Sequence, residues 1–68
     1  MHNEIYKQIG RNIKEARLAK HLTQEQLAVL IGKGLNFVGK IEVGFSYPSL
    51  NTLIDISKAL EIDIKDLF

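Results

Sequence analysis

Asn36 and Lys40 stand four residues apart in a 68-residue chain, a spacing that puts both on one side of a helix if one forms there. An Asn amide donates and accepts at once, which matches N6 and N7 of adenine, and a Lys ammonium can reach O6 and N7 of guanine. Gln24 is a third candidate. As the first residue of a helix it would lie beside unpaired backbone N–H groups at the positive end of the helix dipole, where its amide adds a donor for a phosphate. All three types are also common solvated surface residues, so the elements that carry them must decide.

The local sequence supplies those elements. Thr23 is a good N-cap, Gln26 three residues later completes a T-x-x-Q capping box, and Leu22 and Leu27 occupy the two positions of a hydrophobic staple. A helix therefore starts at Gln24 with Leu27, Ala28, Leu30 and Ile31 inward, and Gly32 follows where a left-handed residue would stop it. The chain turns within residues 32–34. A second short helix, from about Leu35 to Val43 with Gly34 as its cap, buries Val38 and Ile41 with part of Phe37, and Gly44 ends it the same way. Asn36, Gly39, Lys40 and Val43 remain on its outer side. Two short helices about a glycine corner, the second open to the outside, have the geometry of a helix-turn-helix.

Around this pair the apolar pattern predicts more helix. Ile5, Ile9, Ile13 and Ala16 form one stripe of a helix from about Glu4 to Lys20, with Asn3 as its N-cap. Ser49 caps a fourth helix whose inner face is Leu50, Leu53, Ile54, Ser57 and Leu60. Phe45 and Tyr47 cover the corner between the third and fourth helices, and Asp63 caps a last short helix, Ile64 to Phe68. No strand pattern, internal repeat or linker competes with this. The expectation is an all-α, compact five-helix bundle, a single domain over residues 1–68.

Composition narrows the function. There is no cysteine, which excludes a disulfide framework and a thiolate metal site. The two histidines, His2 and His21, have no ligand spacing between them; His21 closes the first helix, where partial positive charge suits the dipole. Asp63 and Asp66 read as a cap and a first-turn acid, no Ser, His and acid cluster together, and a chain this short leaves little room for a water-excluding pocket. Neither an enzyme nor a cofactor, metal or small-molecule substrate is expected. Residues 1–4 lack the apolar segment of a signal peptide, and the longest apolar run, Leu27 to Ile31, is far short of the ~20 residues a membrane helix needs, so a cytoplasmic protein is expected.

The net charge is only +1, but it is unevenly spread. Residues 1–41 carry seven Lys and Arg against three Glu, whereas residues 42–68 carry two Lys against five acidic residues. The first half is therefore the one suited to face an anion. At the other end Ile62, Ile64, Leu67 and Phe68 form an apolar C-terminus, part of which closes the core and the rest of which is a candidate dimer interface.

The segments IGRNIKEAR, LTQEQLA, IG, FVGKIEVG, YPSLNTLIDISKAL and IDIKDLF occur in the order and spacing of a known class. In them the chain resembles the Cro and lambda-repressor type of helix-turn-helix domain, the Xre-like family. The resemblance implies a homodimer on double-stranded DNA, with the third helix in the major groove, the second across the backbone, and half-sites one helical turn apart. It implies a phosphate contact for Gln24, a structural ion pair between Arg17 and Glu42, and nucleoid association when DNA is bound.

Several positions depart from the family pattern. Gly34 stands where a Ser or Thr cap is usual, and Leu35 and Gly39 stand where polar or basic readers are usual. Leu35 would suit either a thymine methyl or a protein contact. Gly39 in an exposed helix costs roughly 1 kcal/mol against Ala, so close approach of DNA or protein is a reason to keep it. Lys33 and the hydroxyl of Ser46 replace the cations that usually follow the third helix, which lowers the number of released counterions and makes salt dependence shallow. The expected DNA-facing set is Gln24, Lys33, Gly34, Leu35, Asn36, Gly39, Lys40 and Ser46. The rival expectation is a protein-interaction module, antitoxin-like or an assembly adaptor, using Gly34, Leu35, Gly39 and Val43.

Overall fold

The apolar residues of the chain gather into one core: Ile9, Ile13, Leu27, Ala28, Val38, Ile41, Leu53, Ile56, Leu60 and Leu67 are all buried. The structure is a computed structural model that describes the backbone of residues 2–68 and the side chains of residues 4–68. Four α-helices surround the core: α1 (His2–Ala19), α2 (Gln24–Leu30), α3 (Phe37–Glu42) and α4 (Leu50–Leu60). A 3₁₀ turn, Ile64–Leu67, closes the chain. α1 packs on α3, α4 and the closing turn, and α2 packs on α3 and α4.

Five α-helices were the expectation, and the last of them is not one. Its bonds run from Asp66 N to Asp63 O (3.0 Å) and from Phe68 N to Lys65 O (3.2 Å), the three-residue step of a 3₁₀ turn, and the Asp63 side chain makes no capping bond. Tertiary packing sets this geometry. The tight turn drops Leu67 into the core, and Asn12 Nδ2 from α1 donates to its carbonyl at 3.1 Å.

The other boundaries move by a few residues. α1 begins at His2 instead of Glu4, which puts Asn3 inside the helix and not at its cap; the side chains of His2 and Asn3 lie outside the described residues. α3 is shorter than expected. It starts at Phe37, so Leu35 belongs to the turn, Asn36 takes the N-cap position without a capping bond from its side chain, and Gly34 contributes only its carbonyl, to Phe37 N at 3.2 Å. α2 and α4 start where the sequence puts them. Thr23 Oγ1 accepts from Gln26 N at 3.0 Å while Gln26 Oε1 accepts from Thr23 N at 2.8 Å, and Ser49 Oγ accepts from Thr52 N at 3.1 Å.

Some inward assignments fail for reasons of helical angle and position. At about 100° per residue, Leu30 lies about 110° from the direction midway between Leu27 and Ala28, and it is exposed. Leu50 and Ile5 project from the ends of α4 and α1 past the core and are exposed too. The buried stripe of α4 runs through Thr52, Leu53, Ile56, Ser57 and Leu60, with Ile56 in the place given to Ile54.

All four helices end alike. Each closes with a pair of backbone bonds spanning five and three residues around a left-handed residue, the Schellman arrangement: His21, Gly32, Gly44 and Glu61 in turn. Gly32 and Gly44 take φ of +71° and +80° at no steric cost, whereas His21 and Glu61 hold φ of +59° with a side chain.

Candidate nucleic-acid interface

Where α1 crosses α3, Gly10 removes the side chain that would keep them apart. A Cβ there would come 2.5 Å from Ile41 O and 2.6 Å from Glu42 O, so the contact is backbone against backbone. This close crossing lets Arg17, two turns along α1, reach the end of α3. Its Nε donates to Glu42 Oε2 at 2.7 Å, its second guanidinium nitrogen donates to Glu42 Oε1 at 3.1 Å, and its third donates to Leu22 O at 2.7 Å. Both side chains are buried, 7% and 2% exposed, so the pair ties α1, the loop before α2, and α3 together in a dry setting.

Glu42 holds a third partner. Gln24 Nε2 donates to Glu42 Oε1 at 3.0 Å, which brings the first residue of α2 onto α3. Its carboxamide lies over Gly39, where a Cβ would stand 3.2 Å from Gln24 Oε1. The expectation for Gln24 was an amide pointing at a phosphate; in the structure one N–H is committed to Glu42, and the other N–H and Oε1 remain. Gly39 likewise has an intramolecular reason to lack a side chain that the sequence did not disclose.

The outer side of this assembly is open. Asn36 and Lys40 are exposed on the side of α3 opposite Val38 and Ile41. Leu35 and Val43 flank Gly39, 67% and 70% exposed, and with Gln24, Asn36, Gly39 and Lys40 they line one shallow concavity. Lys33 Nζ sits 5.3 Å from the centre of the Phe37 ring, which holds this cation over the start of α3. Gly34 is exposed and a Cβ there would meet nothing within 4 Å beyond its chain neighbours, and Ser46 is half-buried in the turn after α3, its N–H donating to Lys40 O at 3.1 Å.

Two aromatic expectations are corrected here. Tyr47 packs on α1 instead of the corner between α3 and α4, stacking on Tyr6 with ring centres 4.2 Å apart and planes 13° from parallel. Phe45 does not cover the corner either. It is 77% exposed at the rim of the concavity, because the reversal at Gly44 turns residue 45 outward. Among the described residues no group of three His, Cys, Asp or Glu could hold a metal ion, and no helix is long and apolar enough to cross a membrane.

This arrangement of α2, glycine corner and α3 is what the sequence profile of the helix-turn-helix family matches, over residues 13–67. The chain belongs to the helix-turn-helix family. It is a DNA-binding transcriptional regulator of the Xre-type, lambda-repressor-like class. Its relatives include the control protein C.BamHI of Bacillus amyloliquefaciens, 35% identical over 98% of this chain and 84% of that protein. The ImmF control region 10 kDa protein of Bacillus phage phi105 is 34% identical over 90% of this chain and 68% of its own length. Among solved structures, the restriction-modification controller protein C.AhdI from Aeromonas hydrophila superposes on this helix-turn-helix chain with a TM-score of 0.93 and 36% identity, over 98% of this chain and 97% of that one.

Proposed function

We propose that this regulator binds an operator as a homodimer, with α3 of each copy in the major groove of duplex DNA. The observation that carries this reading is that Asn36, at the N-cap of α3, and Lys40, within it, stand exposed, with the core residues Val38 and Ile41 on the opposite side. Asn36 and Lys40 meet base edges, while Lys33, the second N–H of Gln24 and the Ser46 hydroxyl meet phosphates. The likeness to C.BamHI, over 98% of this chain and 84% of that protein, and to C.AhdI, over 98% and 97%, supports a controller-type role.

For the dimer, the burial of Leu67 removes it from the C-terminal patch, and Ile62 and Ile64 are half-buried against the core. Phe68 remains exposed. It lines one concavity with Ile5 and Leu50, themselves exposed, and this apolar cluster is the surface we assign to the second copy. Sedimentation of the wild type and of Phe68→Glu checks it: a dimer that becomes a monomer supports the assignment, and an unchanged mass removes it.

Fluorescence anisotropy on a random duplex at about 50 mM and about 200 mM salt tests the central reading. Binding at the lower concentration that weakens at the higher is expected. A protein-interaction module is the rival, favoured by the exposed Leu35, Val43 and Phe45, and an absence of binding even at about 50 mM salt would favour it.

A further inference from the structure

The turn after α3 borders the same concavity as Asn36 and Lys40, because Val43 and Phe45 both line it with Gly44 between them. It brings no cation of its own. Residues 41–57 contain no Lys or Arg, and the backbone N–H groups of the turn are spent on the end of the helix. Val43 N donates to Gly39 O at 3.2 Å, Gly44 N to Ile41 O at 3.0 Å, and Phe45 N and Ser46 N both to Lys40 O. Of residues 43–46, the Ser46 hydroxyl alone remains for an anion.

A neighbouring helix makes up the deficit. α1 is held against this turn at two adjacent residues: Tyr6 stacks on Tyr47, and Lys7 lies against Gly44, where a Cβ would come 2.8 Å from Lys7 Cγ and 3.4 Å from Lys7 Cα. The stem of Lys7 is thus seated on the turn. Its side chain is exposed all the same, and it enters neither of the ion pairs found among the described residues, Arg17 with Glu42 and Lys20 with Glu61. A lysine with its stem laid on protein keeps its ammonium in water. Nζ follows three bonds after the seated Cγ, so the charge stays within a short reach of the turn that lacks one. Arg11, one turn further along α1, is already engaged, since its guanidinium donates to Gln8 Oε1 at 2.8 Å.

We infer that Lys7 contacts a DNA phosphate beside the turn after α3 and so stands in for the cation that the turn lacks. The inference rests on the placement of α3 proposed above and adds to that binding surface a residue from outside the two-helix motif. A phosphate contact positions the protein and carries no sequence information. Each neutralised phosphate releases counterions and steepens the fall of log affinity with log salt by about 0.9, which between 1 M and about 0.1 M salt is about eightfold in affinity.

Fluorescence anisotropy of the full chain on random duplex and on a selected operator, from about 50 to about 300 mM salt, reads affinity and slope together. Lys7→Met keeps the stem and removes the charge, Lys7→Arg keeps both, and Lys58→Met removes an equal charge from an exposed position on α4. Lys7→Met should flatten the slope by about 0.9 for each copy bound, on both DNAs, while the other two variants hold the wild-type slope. A wild-type slope in Lys7→Met overturns the inference. Equal flattening by Lys7→Met and Lys58→Met overturns it too, because the loss then follows net charge alone, and so does a loss confined to the operator, which would put the ammonium on a base. A lowered urea midpoint in Lys7→Met with the slope intact would return Lys7 to the last carbonyls of α3, where a cation suits the helix dipole, and the phosphate contact would fall. If the wild type binds no duplex even at about 50 mM salt, the groove placement fails first and takes the inference with it.

Discussion

Gln24 Nε2 and Glu42 Oε1 are 3.0 Å apart, so the first residue of α2 is bonded to the last residue of α3. The angle between the two helices of the motif is thereby held by a side-chain clamp anchored on Arg17, in addition to the packing of Leu27, Ala28, Val38 and Ile41. Neighbouring groups decide what each of these polar residues does.

Arg17→Ala should therefore cost about 3 to 5 kcal/mol of folding free energy, because it strands the buried Glu42 carboxylate and frees Leu22 O. Adding Glu42→Gln should return part of that loss by removing the buried charge. Urea denaturation of the two variants measures both effects. A cost under about 1 kcal/mol for the single change would mean that water reaches Glu42 readily.

Gly10→Ala should destabilise by about 1 to 3 kcal/mol even though alanine favours the helix by about 1 kcal/mol, since two backbone carbonyls of α3 stand in the way. Gly34→Ala is the contrast: with nothing within 4 Å it should change stability by no more than about 0.5 kcal/mol. Thermal melts of both proteins make the comparison, and equal effects would deny the close crossing.

Asn36→Ala and Lys40→Ala should each weaken binding to a selected operator by about 1 to 3 kcal/mol and change binding to random duplex far less. Anisotropy on the two DNAs separates the cases. Equal losses on both would reassign these residues to the DNA backbone.

Glu61 carries the acid dependence that the structure predicts. The Lys20 ammonium, by its hydrogen bond first and its charge second, holds the Glu61 carboxyl below its ordinary value of 4.5. A carboxyl held low in the folded state stabilises fully above the unfolded value, and the gain is lost as pH falls through the folded one. Glu61→Gln should accordingly flatten the loss of urea resistance below about pH 4.5, and added salt should mute the wild-type slope because the pair is exposed. An identical acid limb in the variant would show that the pair contributes nothing.

Local rules reached the start of α2 and α4, where Thr23, Gln26 and Ser49 satisfy backbone groups two or three residues away. They reached the glycine stops as well, because Gly32 and Gly44 follow the last apolar residues of their helices and glycine takes a positive φ without steric cost. They put His21 at the end of α1 but not in a left-handed conformation, and they missed Glu61. These take the same conformation with a side chain, forced by where α2 and the closing turn must go.

The sequence by itself determined that this chain is an all-helical, Xre-type helix-turn-helix, since caps, glycine stops and apolar spacing act over a few residues and are written in order. Only the tertiary structure decided which residues face outward and which are already engaged. Burial of Leu67, exposure of Leu30 and Phe45, the engagement of Gln24 by Glu42 and the close passage of Gly10 all depend on how distant helices meet. Such contacts are set by packing and charge pairing across the fold, and no local spacing encodes them.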